Sequence, residues 1–524
     1  MVRMWFVVAV NVAFAAFAAL VSRRILFAAF ASALLVTFIV VVSNVKIQAM
    51  GMSLHAYDIF FYLNWQTLAF LWQEYPTYLI WAAATLTIAG VLTATVWRLD
   101  KARCPYLVSS LTLVAAIAAA AGLTAPVRAQ RRPGQVFGPR HPISNFYLSF
   151  GETLHVLWTG QFLEAAPRTH LPAFAAMPPC HPTSSSAPTI LLIHQESAVP
   201  LSFFPDLSYD RGLDSFFTGD DQKMHRLGVE TYGGGSWLTD FSLLTGISTR
   251  SFGEMRSFLH VFMRDKLKET LPQVFAACGY RNILFFPLDE NFIGLGKFYR
   301  AVGFESILDR TAQHAPTGRE RDSFYYKNLL NLLEQKFKSS GTPLFIYLQT
   351  MATHAPYDFK YMPEETVSGG GLGNPADVDE FLRRLAMAKI DWDSFLAALK
   401  RRFPDKRFLI FRYGDHQPTV TRDHLHVSRG SIVNSDTAPE GFVTFYAVTE
   451  LNYSGPPLPD YDSLEIAFLG TVMLEAAAIP LPEAYRERKR LMATCNGRYY
   501  RCKQRNEVLS FHRRLINSGI VQEP

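Results

Sequence analysis

The stretch Arg407-Phe408-Leu409-Ile410-Phe411-Arg412-Tyr413-Gly414-Asp415-His416-Gln417-Pro418 decides how the chain is read. Phe408 to Phe411 form an apolar run that predicts a buried strand, and Gly414, Asp415 and His416 follow where open α/β sheets hold their ligands. Adjacent carboxylate and imidazole groups suit a divalent ion such as Zn²⁺ or Mn²⁺. Alone, the pair reads more readily as a solvated turn, so its weight depends on what the other strand ends supply.

Working outward, strand-like runs recur at 189–194, 282–286, 343–349 and 441–448. Helix-like runs lie between or after them at 264–278, 323–338, 378–402 and 463–477. This alternation predicts an α/β domain with a mostly parallel sheet over 188–485, followed by a C-terminal extension over 486–524.

The N-terminal part is different. Apolar runs cover 4–22, 25–43, 77–97 and 105–125, each near the roughly 20 residues that a helix needs to cross a bilayer core. They predict a multi-span helical membrane domain over 1–125, whose first run is a retained anchor because comparable spans follow it. The stretch 56–72 is apolar and aromatic but short, and it carries Asp58, Asn64 and Gln66. It reads as an interfacial helix, with a fifth span as the alternative. Residues 126–187, rich in Pro, Arg, Ser and His, read as a linker with one helix near 143–158 and a last loop at Pro182 to Pro188. Arg23, Arg24, Arg98, Lys101 and Arg103 mark the short inter-span loops as cytoplasmic, while Arg128, Arg131, Arg132 and Arg140 pull the other way. The short loops are the tighter constraint and place the large domain outside.

Charge is sparse, at 18% of residues, and hydrophobic residues make up 49%, as suits a membrane segment joined to a soluble domain. The net charge of +6 is small and dispersed; it gives no argument for nucleic acid and fits contact with anionic lipid headgroups. None of the five cysteines forms a CxxC, which argues against a zinc knuckle or a thioredoxin-type site. Cys495 and Cys502 can close a small loop, or remain free thiols.

Three further strand ends carry polar groups that fit Asp415 and His416. His194-Gln195-Glu196-Ser197 offers the Glu196 carboxylate, which reads equally as a helix N-cap acid. Tyr232-Gly233-Gly234-Gly235-Ser236-Trp237 leads into a helix-like run, which puts Ser236 at a helix N-terminus, where N–H groups favour phosphate. Gly235 and Trp237 beside it are candidate substrate contacts; the alternative is a flexible loop with an N-cap serine. Thr350-Met351-Ala352-Thr353-His354-Ala355-Pro356-Tyr357 supplies His354, able to bind a phosphoryl oxygen or protonate a leaving group. Together Glu196, Ser236, Asp415 and His416 can hold one metal ion, which lowers the hydroxyl pKa and polarises a phosphate ester.

In that order, Ile-His-Gln-Glu-Ser, the Gly-rich Ser site, Thr-His-Ala-Pro-Tyr and Tyr-Gly-Asp-His resemble the alkaline phosphatase and sulfatase superfamily. Within it, the chain resembles the membrane-anchored branch of lipoteichoic acid synthases, phosphoglycerol transferases and phosphoethanolamine transferases. The resemblance implies an alkaline-phosphatase-like α/β domain with Glu196, Ser236, Asp415 and His416 on one Mn²⁺ or Zn²⁺, or Mg²⁺. It implies Ser236 as nucleophile and His354 as substrate-binding residue. It implies transfer of phosphoglycerol or phosphoethanolamine from a phospholipid to a glycan or glycolipid through a phospho-serine, in a bacterial inner membrane with the catalytic domain facing the periplasm. Two departures bear on this. Serine stands where the branch usually has threonine, with Thr231 and Thr239 as alternative hydroxyls. Phe292-Ile293-Gly294-Leu295 lacks the Trp and Arg of the glycerol phosphate motif although Gly303-Phe304 is retained, and the Cys-flanked Thr motif of the phosphoethanolamine branch is absent, so the headgroup stays open. The rival readings are a phosphodiesterase or sulfatase, although Ser236-Trp237-Leu238-Thr239-Asp240 lacks the Cys/Ser-x-Pro-x-Arg context of sulfatases, and a non-catalytic glycan-binding scaffold.

Overall fold

The computed structural model describes residues 1–50, 53–129, 141–160, 162–168, 171–177, 180, 187–339, 341–367, 372–425 and 438–523. Arg131, Arg132, Arg140 and most of the loop expected at 182–188 lie outside them. The chain divides into two units, Met1–Gln161 and Phe162–Pro524.

In the first unit, Val2–Ser22, Ile25–Met50, Pro76–Leu99 and Tyr106–Ala129 are helical. Among the described residues, four helices are long and apolar enough to cross a membrane, and at most 22% of any one's apolar window is covered by protein. A helix that is apolar all round and uncovered needs a lipid environment. The stretch 56–72 becomes two short helices, Ala56–Tyr62 and Trp65–Glu74, each well under a crossing length. Asn64 breaks them apart, its side chain accepting from Thr67 N at 3.0 Å as the cap of the second. Asp58 is paired with Lys46 at 2.7 Å. The helix expected near 143–158 is Pro142–Thr159.

The second unit is built on one eight-stranded sheet: β1 Thr189–Gln195, β2 His225–Gly228, β3 Arg281–Phe285, β4 Ser306–Leu308, β5 Leu344–Gln349, β6 Phe408–Gly414, β7 Val443–Leu451 and β8 Leu464–Glu465. Their order is β4-β3-β5-β1-β6-β7-β2-β8. The five strands from β4 to β6 run parallel, β7 is antiparallel to both its neighbours, and β8 is parallel to β2. The mostly parallel α/β architecture read from the alternating runs is therefore the one observed.

Every residue of β1, β5 and β6 is buried, as continuous apolar runs require when helices cover both faces. Leu191, Ile193, Ile346, Leu348 and Ile410 share a core with Tyr326, Leu329 and Leu333 of the helix Asp322–Ser339. Phe381, Leu385 and Phe395 of the helix Ala376–Arg402 join the same core. The run at 264–278 is helical only over Leu271–Ala277, because Thr270 starts it with a capping box to Gln273 and Glu269 before it has φ 53°. The run at 463–477 begins as β8 and is helical over Ile466–Ala476.

Two more helices, Glu483–Thr494 and Arg505–Asn517, complete the unit, and the segment after Phe162 joins them. Ala166 N donates to Leu509 O at 2.9 Å, and Arg514 bonds both Glu483 and Pro172 O at 3.0 Å. Cys495 and Cys502 are disulfide-bonded, and so are Cys180 and Cys278, 98 residues apart.

Candidate metal and active site

The parallel register makes the site. His194 lies opposite Gln349 of β5 on one side and Tyr413 of β6 on the other, so the three strands end level. Glu196, the loop Thr350–His354 and the Asp415-His416 pair leave the sheet at one place. Gly414 permits it: a Cβ there would sit 2.0 Å from Ala198 O. Ser197 turns the chain with φ 50°, donates its N–H to Asp415 Oδ1 at 2.8 Å and its hydroxyl to Glu196 Oε1 at 2.8 Å.

Ser236 begins the helix Ser236–Thr245 after Gly233, Gly234 and Gly235, whose φ values of 71°, 138° and 82° are open to glycine. Gly233 N donates to Gln417 O at 2.9 Å, which ties this turn to the segment following His416. The Ser236 hydroxyl lies near enough to the Asp415 carboxylate to help hold its pKa down. It stands at a helix N-terminus, where unpaired N–H groups and the dipole favour a developing alkoxide or a phosphate. The two alternative hydroxyls are committed to backbone. Thr239 donates to Asp415 O at 2.9 Å, and Thr231 donates to Gly234 O at 2.5 Å.

Four charged or imidazole groups converge here. His416 Nε2 is 3.2 Å from Asp415 Oδ2 and 3.6 Å from Glu196 Oε1. His194 Nε2 is 3.2 Å from Asp415 Oδ2 and 3.6 Å from Glu196 Oε2. Donor atoms of His194, Glu196 and Asp415 lie within 4.8 Å of one another, and all three residues are buried. Burial alone would raise the Asp415 pKa, but the neighbouring His416 and His194 imidazoles and the Ser236 hydroxyl hold it well below the usual range. Burial alone would lower that of His194, but Asp415, Asp240 and Glu196 raise it well above its ordinary value.

The raised His194 pKa reflects the carboxylates of Asp415, Asp240 and Glu196 around it, a grouping that attracts a cation. Among the described residues, the ion-pair partners of Glu196 and Asp415 are histidines, with no lysine or arginine. His194 Nε2 and Asp415 Oδ2 are buried with no hydrogen-bond partner. Uncompensated buried carboxylates are costly unless paired or metal-bound. The donor set thus fits a divalent ion held by carboxylate and imidazole ligands.

His354 is half-buried in the loop after β5. That loop is sewn to the end of β1: Thr350 Oγ1 donates to His194 O at 3.1 Å and Thr353 Oγ1 donates to Glu196 O. The His354 ring is turned to Ala355 O, and its carbonyl accepts from Arg384 at 2.8 Å. Trp237 spends its indole N–H on Ser257 O at 3.2 Å and meets the His260 ring edge-to-face. Gly235 caps the Ser236 helix. His194 is the residue the motif reading passes over, although strand period 2 counts back from Glu196 directly to it.

Residues 230–438 match the Sulfatase family model. The soluble unit therefore carries a sulfatase-type domain. An uncharacterized protein of Haemophilus influenzae is 22% identical over 312 residues, 57% of this chain, and the chain spans about half (53%) of that relative's length. The integral membrane lipooligosaccharide phosphoethanolamine transferase A of Neisseria meningitidis superposes with a TM-score of 0.53 over 87% of this chain and 91% of that one, at 14% identity. It has the same overall fold. The phosphoglycerol transferase GacH of Streptococcus pyogenes, in complex with sn-glycerol-1-phosphate, aligns with a TM-score of 0.49 over 64% of this chain and 85% of that one, at 17% identity.

Proposed function

We propose that this chain is a membrane-anchored transferase that moves phosphoglycerol or phosphoethanolamine from a phospholipid to a cell-surface glycan or lipid through a phospho-serine. The observation that carries the reading is Ser236 at a helix N-terminus, its hydroxyl acting on the Asp415 carboxylate of the buried His194, Glu196 and Asp415 cluster. Glu196, Asp415, His416 and Ser236 would hold one Mn²⁺ or Zn²⁺. That ion would lower the hydroxyl pKa and neutralise phosphoryl charge.

The Ser236 oxygen, as the alkoxide whose proton would have passed to solvent on ion binding, attacks phosphorus of the lipid phosphodiester, a Ser–O–P bond forms, and the bond to the diacylglycerol oxygen breaks. His354 gives that oxygen its proton. An acceptor hydroxyl then displaces Ser236, passing its own proton to His354, so the serine and the histidine return to their starting states. The N–H groups at the start of the Ser236 helix stabilise the phosphoryl oxygens in both steps.

A site on the outer face of a bacterial cytoplasmic membrane agrees with the two disulfides of the soluble unit, since such bonds persist in oxidising compartments. The four apolar helices would keep the site at its lipid donor.

The test is release of diacylglycerol from fluorescent phosphatidylglycerol and phosphatidylethanolamine vesicles by the full chain in detergent, with and without chelator. Release from one lipid, abolished by chelator and by Ser236→Ala, is expected. Release that survives Ser236→Ala refutes the assigned nucleophile, and release of free headgroup phosphate with an acceptor present favours a hydrolase.

A further inference from the structure

Behind His194 lies a buried polar cluster that the transfer chemistry does not use. Asp240, 1% exposed and inside the Ser236 helix, accepts from Tyr299 at 2.7 Å, Tyr347 at 2.6 Å, Tyr413 at 3.0 Å and Gln349 at 3.0 Å. Its Oδ1 lies 3.5 Å from His194 Nδ1, the ring nitrogen turned away from Glu196 and Asp415. The Tyr347 and Tyr413 hydroxyls are 3.3 and 3.4 Å from the same nitrogen. His194 therefore has one nitrogen facing a carboxylate fixed by four donors. Its other nitrogen, Nε2, is buried without a hydrogen-bond partner between two carboxylates.

We propose that His194 is a ligand of the metal together with Glu196, Asp415 and His416, that Asp240 positions its ring, and that the site for this reason selects a transition ion over Mg²⁺. The inference rests on the metal-binding reading of the site and goes beyond it in donor count and ion class.

The physical argument has three steps. A metal-bound imidazole ordinarily gives its other N–H to a carboxylate, which fixes the tautomer and raises ligand basicity. Asp240 stands where that acceptor is needed, and a carboxylate already receiving three hydroxyls and an amide keeps one orientation. Two imidazoles with two carboxylates and the Ser236 oxygen form a mixed nitrogen and oxygen set that suits Zn²⁺ or Mn²⁺, whereas Mg²⁺ prefers all-oxygen octahedra and sheds water reluctantly.

A purely structural His194 would instead donate Nε2–H to Asp415, leaving one imidazole on the metal. X-ray absorption on the full-length protein in detergent, loaded with one Zn²⁺ per chain, distinguishes the two without a substitution. Two imidazole scatterers are expected, falling to one in His194→Gln. One scatterer in the unsubstituted protein overturns the proposal while leaving a metal site intact, and failure to retain Zn²⁺ overturns both the site and the proposal.

Competition of Zn²⁺ against Mg²⁺ supplies the second readout. Asp240→Asn keeps the cluster's size and an acceptor oxygen but removes the charge behind the ring. It is expected to weaken Zn²⁺ about 10- to 100-fold, the range seen when such outer partners are lost, with Mg²⁺ affinity held within about threefold. An equal loss for both ions would mean that Asp240 acts only on folding, and would overturn its assigned role.

Discussion

Arg384→Ala should release the loop that carries His354. Arg384 is 2% exposed, and its guanidinium donates to Glu380 Oε1 at 2.7 Å, His354 O at 2.8 Å and Phe359 O at 3.1 Å. The rings of Tyr357, Phe359 and Tyr361 lie 4.9 to 5.2 Å from it. Hydrogen bonds from a charged donor contribute about 1.5–3 kcal/mol each, and cation–π contacts about 0.5–1 kcal/mol. Glu380 keeps Arg383 at 2.9 Å after the change, so the penalty of a stranded buried carboxylate does not apply in full. Allowing for non-additivity, about 4 kcal/mol of loop stability is lost, or about a 10³-fold rise in opening. Hydrogen exchange of peptides covering 354–361, compared with peptides from β1 and β6, measures this directly. Protection of 354–361 should collapse while the central strands hold, and turnover should fall because His354 loses its fixed position. Exchange within about tenfold of the unsubstituted protein would refute the clamp.

Asp322 and the disulfides give two further expectations. Asp322 Oδ1 accepts from Met351 N and Ala352 N, and burial, reinforced by Asp391, pushes its pKa up to about 7. A carboxyl whose folded pKa is raised binds its proton more tightly when folded, so stability from this group falls as pH rises from about 4 to about 7 and levels off above. The melting temperature of Asp322→Asn relative to the unsubstituted protein should therefore rise between pH 5 and pH 8, and a difference flat with pH would count against the raised pKa. In the chain-entropy account, the disulfide closing a 98-residue separation contributes about 4.7 kcal/mol and the one closing 7 residues about 2.5 kcal/mol. Cys278→Ser should then lower the melting temperature more than Cys502→Ser; the reverse order would contradict that account.

What could be read in the chain follows from the range of the interactions. The central strands β1, β5 and β6 are unbroken apolar runs buried on both faces, so local composition marks them. The short strands β2, β4 and β8, two to four residues long, carry too little pattern to be seen and form because the sheet already exists. The helix expected from 264 starts at Leu271, and Thr270 with Gln273 three residues on is the start signal that the sequence carries for it. In the site, Glu196, Ser236, Asp415 and His416 stand in short motifs at element ends, and the structure brings them together. Nothing in the sequence marks Asp240, because its meaning depends on Tyr299, Tyr347 and Tyr413 arriving from three other elements. The Cys180–Cys278 pairing is likewise tertiary, while the Cys495–Cys502 loop is short enough to be suggested by spacing.

The account turns on Ser236 as the group that carries the phospho-headgroup. Mass spectrometry of the full-length protein, digested after incubation with mixed phospholipids and Mn²⁺ or Zn²⁺ and without acceptor, tests this most directly. A phosphoglycerol or phosphoethanolamine mass on the Ser236 peptide, absent from Ser236→Ala, is the predicted result and would also name the headgroup. An adduct on another hydroxyl, or none while lipid is being turned over, would contradict it.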